Sequence, residues 1–176
     1  MADLVLHHYA HSPFSEKVRL ALGRKGLAWR AVVIPDTLPK PDYLALTGGY
    51  PRTPSLQSGA DVYCDTALIV EELDRRWPLP SLFPPPGPGL HRIVERWAES
   101  ALFWPCALAV TGANADALPS SFHADRAAMR GRAPPTPDQV RAAGTRAEAR
   151  IAPELRVGEY LRLAAGPIGE AELEGL

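Results

Sequence analysis

The sequence predicts an α/β domain in residues 1–80, followed after a linker by an all-helical domain in residues 90–176. Three observations lead to this prediction. Near the N-terminus, two short segments of strand composition flank an amphipathic stretch of helical period, a βαβ pattern that implies a parallel strand pair. Residues 81–89 are rich in proline and glycine, as expected of a linker. Beyond them, the interpretable apolar patterns have the spacing of helices.

The composition is typical of a globular protein and excludes several functional classes. The chain has 176 residues, of which 46% are hydrophobic, and a net charge of −1, so neither nucleic acid nor a membrane is expected as a partner. No apolar stretch approaches the length of a membrane span, and the first residues are too few and too polar for a secretion signal. Cys64 and Cys106 form no Cys-x-x-Cys pair, so we expect neither a bound metal nor a dithiol centre. We expect the protein to be located in the reducing cytoplasm.

The first elements follow from their residue patterns. Leu4–Tyr9 predicts a strand, and the β-branched, aromatic segment Trp29–Ile34 predicts a second. Between them, Ser12 suits the N-cap of a helix, and Pro13 suits its first position, where no N–H is needed. Four apolar residues then form one stripe along that helix: Phe14, Val18, Ala21 and Leu22.

The rest of the first domain is predicted to contain a hairpin and a helix. A short helix at Asp42–Leu46 interrupts a loop that is rich in proline and glycine. Arg52–Gln57 and Asp61–Cys64 form the hairpin, and Asp65-Thr66 caps a helix over Ala67–Trp77. The order β-α-β and then β-β-α is that of a thioredoxin-like domain.

The second domain carries two helical patterns. His91–Val110 predicts a long helix that Pro105 kinks. Asp138–Ile151 predicts another helix, which begins at Thr136-Pro137. The segment Gly158–Leu176 has no clear apolar period.

Ser12 is the leading candidate for a residue with a chemical role. Backbone N–H groups and the positive end of the helix dipole lie beside an N-cap, so a thiolate or a carboxylate placed there would be stabilised. The alternative interpretation is that Ser12 only caps the helix.

Three motifs together resemble the glutathione transferase family over residues 4 to about 110. Ser12-Pro13-Phe14-Ser15 is similar to the serine motif of the zeta and theta classes, and to the Cys-Pro-Phe motif of the omega class with serine in place of cysteine. Arg52-Thr53-Pro54 stands where the family carries a cis-proline. Asp65-Thr66 opens the helix that holds the glutamyl end of glutathione in the family.

The resemblance implies that Ser12 donates a hydrogen bond to the glutathione thiolate and so lowers the pKa of that thiol. Ser15, one turn further on, is the second candidate for this role. The backbone of Thr53, turned toward the site by a cis bond to Pro54, would pair with the cysteinyl backbone of the ligand.

The two ends of glutathione are assigned to charged groups. Asp65 would take the glutamyl ammonium, while Thr66 and the N-terminus of its helix would take the glutamyl carboxylate. Lys40 would take the glycyl carboxylate, and Arg52 or His11 are alternatives for that contact.

The resemblance implies a cytoplasmic, homodimeric glutathione transferase that activates the thiol for attack on small electrophiles, as in detoxification. The alternative is a non-catalytic protein of the same family type that binds glutathione and has a regulatory role. A disulfide reductase of the thioredoxin type is disfavoured because position 12 is serine. The helical domain is shorter than is usual in the family and lacks the Ser/Thr-x-x-Asp capping box of the family's core helix.

Overall fold

The computed structural model describes the backbone of residues 3–164 and the side chains of residues 3–157. The chain divides into two compact units between Gly89 and Leu90. Within the described residues, no helix is both long enough and apolar enough to cross a lipid bilayer.

The first unit is a four-stranded sheet with three helices. Its elements in chain order are β1 (Leu4–His8), α1 (Pro13–Arg24), β2 (Arg30–Val33), α2 (Pro41–Leu46), β3 (Ser55–Ser58), β4 (Asp61–Cys64) and α3 (Thr66–Arg76). The strand order is β2-β1-β3-β4; β1 is parallel to β2 and antiparallel to β3, and β3 and β4 form a hairpin. The predicted thioredoxin-like arrangement is therefore confirmed.

Some strands are shorter than predicted, and β3 differs most. It begins at Ser55 and not at Arg52, because Pro54 has no N–H to donate to the ladder. Strand β1 ends at His8, one residue before Tyr9, and β2 begins at Arg30.

The strand register brings several chain segments to one end of the sheet. His7 lies opposite Ser55, and Ser55 lies opposite Cys64. His8 lies beside Val33. Consequently the residues that follow β1, β2 and β4 and those that precede β3 all emerge at the same end.

The core of this unit lies between one face of the sheet and helices α1 and α3. Because successive strand residues face opposite sides, alternate residues of β1 and β3 point at these helices. The buried cluster consists of Leu4, Leu6, Val18, Ala21, Leu22, Leu56, Ile69 and Leu73. Three of the four predicted stripe residues of α1 belong to this cluster, whereas Phe14 is half-buried.

A buried lysine joins the ends of α1 and α3. The side chain of Lys25 is 0% exposed, and its Nζ donates to a carboxylate oxygen of Asp74. It also donates to the carbonyl oxygens of Trp77, at 2.5 Å, and Pro80, at 2.6 Å. Buried charges need such partners, but the sequence pattern had not singled out Lys25.

The second unit is helical. Its described elements are α4 (Pro88–Trp97), a π-helical segment (Ala98–Leu102), α5 (Phe103–Ala113), α6 (Ser120–Ala128) and α7 (Pro137–Ala164). The predicted helix His91–Val110 is thus interrupted just before Pro105. Proline cannot donate an N–H to the carbonyl four residues earlier, and a wider turn accommodates this loss.

Helices α5 and α7 pack closely at two glycines. A Cβ built on Gly112 would lie only 2.6 Å from the Cα of Gly144, and one built on Gly144 would lie 2.8 Å from the Cα of Gly112. The absence of side chains at these two positions therefore permits the crossing.

The predicted helix at Asp138–Ile151 is confirmed. The observed helix, α7, is longer than predicted and continues through Pro153. A Thr-x-x-Gln capping box begins it: Thr136 N donates to Gln139 Oε1, and Gln139 N donates to Thr136 Oγ1. The last position of this box is glutamine, so it does not match the Ser/Thr-x-x-Asp pattern. Helix α6 was also missed, since its N-cap, Pro119, has no capping side chain. Residues 165–176 lie outside the described part of the chain.

Candidate functional site

Ser12 occupies the predicted N-cap of α1. Its backbone is extended, with φ −78° and ψ 116°. Its Oγ accepts a hydrogen bond of 3.1 Å from the backbone N–H of Ser15, and the residue is only 2% exposed. A hydroxyl has one O–H donor and two lone pairs, so this contact leaves the O–H able to donate.

Ser15 lies on the core side of α1. It is fully buried, as are Val18 and Leu22 on the same stripe. Among the described residues, no hydrogen-bond partner reaches its Oγ. A buried hydroxyl usually has a partner, so Ser15 is an unusual residue beside the cap.

The Thr53–Pro54 peptide bond is cis, as predicted. Three other X–Pro bonds among the described residues are also cis, and the sequence had not singled them out: Leu38–Pro39, Leu79–Pro80 and Pro85–Pro86.

Tyr43, on α2, holds the segment before β3. Its hydroxyl donates a hydrogen bond of 2.6 Å to the carbonyl oxygen of Arg52. Burial raises the pKa of Tyr43 to about 12, so the hydroxyl remains a donor at neutral pH.

Lys40 is placed beside Thr53. The residue is 5% exposed, and its Nζ lies 3.5 Å from Thr53 Oγ1. The other two candidates for the glycyl carboxylate differ in their surroundings. His11 Nε2 pairs with Asp36 at 3.2 Å, and Arg52 is exposed.

The start of α3 combines an acid, a hydroxyl and a lysine. Asp65 is the N-cap, and its Oδ1 accepts from Ala67 N at 2.9 Å. Its φ of +79° is a conformation that favours glycine. Lys17 Nζ lies 3.2 Å from Thr66 Oγ1. This contact links α1 to the first turn of α3.

Arg19 braces the loop between β1 and α1. Its guanidinium donates to the carbonyl oxygen of Ala10 and approaches His8 Nδ1, each at 3.0 Å, and it pairs with Glu16. Burial and the nearby Arg19 charge lower the pKa of His8. The sequence pattern had not singled out Arg19; the spacing of three residues between Glu16 and Arg19 is a local signal for their ion pair.

The groups at this end of the sheet suit a zwitterionic peptide. Cations come from Lys17 and Lys40, a carboxylate comes from Asp65, and helix N–H groups follow both caps. Among residues 3–157, no three histidine, cysteine, aspartate or glutamate side chains are grouped so that they could hold a metal ion.

Comparison with known proteins gives one family match, and this match lies within the first unit. A family model described as the N-terminal domain of glutathione S-transferase matches residues 6–81. No curated protein sequence matches the chain significantly.

Solved structures are similar to longer parts of the chain. A GST-like protein from Pseudomonas syringae is 48% identical over 62% of this chain and 38% of its own, with a TM-score of 0.56. A glutathione S-transferase from Rhodospirillum rubrum is 26% identical over 87% of this chain and 64% of its own, with a TM-score of 0.58.

A third structure, of a glutathione transferase homologue from Sulfitobacter with bound glutathione, is 18% identical over 86% of this chain and 66% of its own. Its TM-score of 0.60 indicates a shared fold. The chain thus spans less than two thirds of the Pseudomonas syringae and Rhodospirillum rubrum proteins.

Proposed function

We propose that this chain, whose residues 6–81 match the N-terminal domain of glutathione S-transferase, binds glutathione and activates the glutathione thiol. One observation carries the proposal: the strand register brings the segments after β1, before β3 and after β4 to the same end of the sheet. These segments hold Ser12, Thr53-Pro54 and Asp65-Thr66.

The start of α3 would hold the glutamyl end of the ligand. The N–H groups of the first turn and the Thr66 hydroxyl suit a carboxylate, and Lys17 Nζ, 3.2 Å from that hydroxyl, adds a positive charge. The Asp65 carboxylate suits the glutamyl ammonium.

The middle of the ligand would lie along the Thr53-Pro54 segment, pairing its cysteinyl backbone with the backbone of Thr53. This places the thiol toward the N-terminus of α1. There Ser12 would donate its O–H to the sulfur, and this hydrogen bond together with the helix dipole favours the thiolate. Ser15 remains the second candidate for this donor.

The glycyl carboxylate would lie at Lys40. Among the three cations considered, Lys40 is the one whose ammonium lies beside Thr53, at 3.5 Å from the hydroxyl. Arg52 and His11 remain alternatives at the rim of the site.

The chemical step would be attack by the glutathione thiolate on an electrophilic carbon of a small molecule. A carbon–sulfur bond forms, and the leaving group departs with the bonding electron pair. Serine takes no covalent part, because its oxygen only donates a hydrogen bond to the nucleophile. From the resemblance to this family we also infer a cytoplasmic homodimer with a role in detoxification.

The second candidate is a regulatory protein that binds glutathione without turnover. This candidate needs only the glutathione site and no working substrate pocket.

Two measurements on the full chain separate these functions. Calorimetric titration with glutathione tests binding, and an assay with glutathione and an activated aryl chloride tests turnover. Binding with turnover supports the transferase, whereas binding without turnover on several electrophiles supports the regulatory protein. Absence of glutathione binding by the folded chain contradicts both.

A further inference from the structure

We infer that Tyr9 and Tyr43 form an aromatic bracket around the Lys40 ammonium and thereby determine how strongly the site recognises a glycyl carboxylate. The inference rests on the proposed function, since it concerns the same ligand. It assigns positioning roles to two residues that lie outside all three sequence motifs.

The bracket is defined by distances. Lys40 Nζ lies 5.7 Å from the centroid of the Tyr9 ring and 5.9 Å from that of the Tyr43 ring. Both distances are within the range in which a cation is attracted to the face of an aromatic ring. Because Lys40 is only 5% exposed, water screens this attraction weakly.

Stabilisation of the helix does not explain the place of Lys40. The residue is the N-cap of α2, where its side chain makes no capping hydrogen bond. A cation at this end of a helix lies near the positive pole of the helix dipole, which is unfavourable. The aromatic rings offset this by favouring the charge at this point.

Each tyrosine is itself anchored. The Tyr43 hydroxyl donates to the carbonyl oxygen of Arg52, so its ring is tied to the segment that leads into Thr53. Tyr9 follows β1 directly, and its ring contacts the His11 ring in a tilted arrangement, with a centroid distance of 4.7 Å and an interplanar angle of 46°. The bracket therefore connects the end of β1, the start of α2 and the Thr53 segment.

This arrangement has a consequence for ligand choice. An ammonium held in one position loses less rotamer entropy on binding a carboxylate than a mobile one does. The site should therefore discriminate between γ-glutamyl peptides that carry a carboxylate at the third residue and those that end earlier. Glutathione and γ-glutamylcysteine differ in this way.

The test measures the affinity of the full chain for both ligands by calorimetry. Lys40→Met sets the reference, because it removes the charge that reads the glycyl carboxylate. Tyr9→Leu removes one ring of the bracket, and Tyr9→Phe retains the ring without its hydroxyl. Tyr9→Met, a second variant without the ring, serves if Tyr9→Leu does not fold.

We expect the unmodified chain to bind glutathione about tenfold or more tightly than γ-glutamylcysteine, a preference that Lys40→Met abolishes. Tyr9→Leu should reduce the preference about three- to tenfold by weakening glutathione binding alone. Tyr9→Phe should preserve the preference, because the ring face makes the contact.

Two outcomes overturn the inference, and they differ from failure of the proposed function. If Tyr9→Leu weakens both ligands equally, Tyr9 supports the fold and does not position Lys40. If the preference survives Tyr9→Leu unchanged, the bracket does not determine recognition. If the unmodified chain binds neither ligand, the proposed function itself fails.

Discussion

The Ser12 hydroxyl combines a structural contact with a proposed chemical one. It accepts from the backbone N–H of Ser15 and would donate to the glutathione sulfur. The two contacts use different parts of the hydroxyl, a lone pair and the O–H, so both can be made at once.

Replacement of Ser12 by alanine should slow turnover about a hundredfold near neutral pH, because one donor to the developing thiolate is lost. Part of the rate should return at high pH, where the thiol ionises without help. The measurement is the pH–rate profile. Ser12→Ala also removes the helix cap, at a cost of about 1 kcal/mol of stability, so thermal unfolding must be followed in parallel.

Ser15→Ala is the matched control, because Ser15 lies on the same turn and its backbone N–H is retained. An unchanged profile in Ser12→Ala combined with a slowed Ser15→Ala would transfer the role to Ser15.

Asp65 allows its charge to be separated from its capping role. Asn is also a good N-cap and tolerates positive φ, so Asp65→Asn should preserve the cap at φ +79° while removing the charge. If Asp65 holds the glutamyl ammonium, this change should weaken glutathione binding by about 1.5–3 kcal/mol with little effect on the rate at saturation. Titration and saturation kinetics measure the two effects. Unchanged affinity in Asp65→Asn would leave Asp65 as a cap only.

At the scale of elements, Lys25 links α1 to α3. Replacing it with methionine leaves the Asp74 carboxylate partly buried without its cation. Removal of one partner of such a pair typically destabilises by about 3–5 kcal/mol. Chemical denaturation, followed by a probe of the first unit, measures this loss. Arg30→Met provides the control, because Arg30 pairs with Asp3 on the surface and should cost at most about 1 kcal/mol.

The same pair makes stability depend on pH. Burial alone would raise the pKa of Asp74, but hydrogen bonds from Lys25 and from Leu82 N lower that pKa overall. A carboxylate whose pKa is lowered by folding stabilises the fold above its unfolded pKa. The stabilisation should therefore be lost as the pH falls below about 4 and through the lower, folded pKa. Asp74→Asn should flatten this acid limb of the stability curve, and an equally steep limb in that variant would assign the effect to other carboxylates.

Replacement by alanine should have opposite effects on stability at Gly112, where α5 crosses α7, and at Gly23 in α1. Gly112→Ala places a methyl group 2.6 Å from the Cα of Gly144, so the helices must separate, at a cost of about 1–3 kcal/mol. Gly23, in α1, has no atom within 4 Å of a built Cβ, so Gly23→Ala should stabilise by about 0.4–1 kcal/mol. Thermal unfolding measures both, and destabilisation by Gly23→Ala would mean that the space around α1 is tighter than described.

At the scale of the whole molecule, ligand binding should be visible as stability. A ligand at a hundred times its Kd stabilises the folded chain by about 2.7 kcal/mol. For a chain of this length, that corresponds to a rise in Tm of about 5–10 °C. Scanning calorimetry with increasing glutathione measures the rise. Asp65→Asn should require more glutathione to reach the same Tm, and a Tm independent of glutathione would contradict binding to the folded chain.

The sequence alone determined the features that depend on neighbouring residues. The caps at Ser12 and Asp65 follow from contacts two or three residues apart, and the strand and helix order follows from local periodicity. The same reasoning failed where a local signal was absent or was read too narrowly, as at Pro119 before α6 and at Gln139 in the capping box of α7.

Only the tertiary structure decided which side chains meet around the site. The sequence left Arg52 and His11 as alternatives to Lys40, and the packing of α2 against the Thr53 segment places the Lys40 ammonium beside Thr53. The contacts of Lys17 with Thr66 and of Lys25 with Asp74 each join residues 49 positions apart. Such contacts leave no periodic trace in the chain, because they depend on the direction in which whole elements pack and not on the residues beside them.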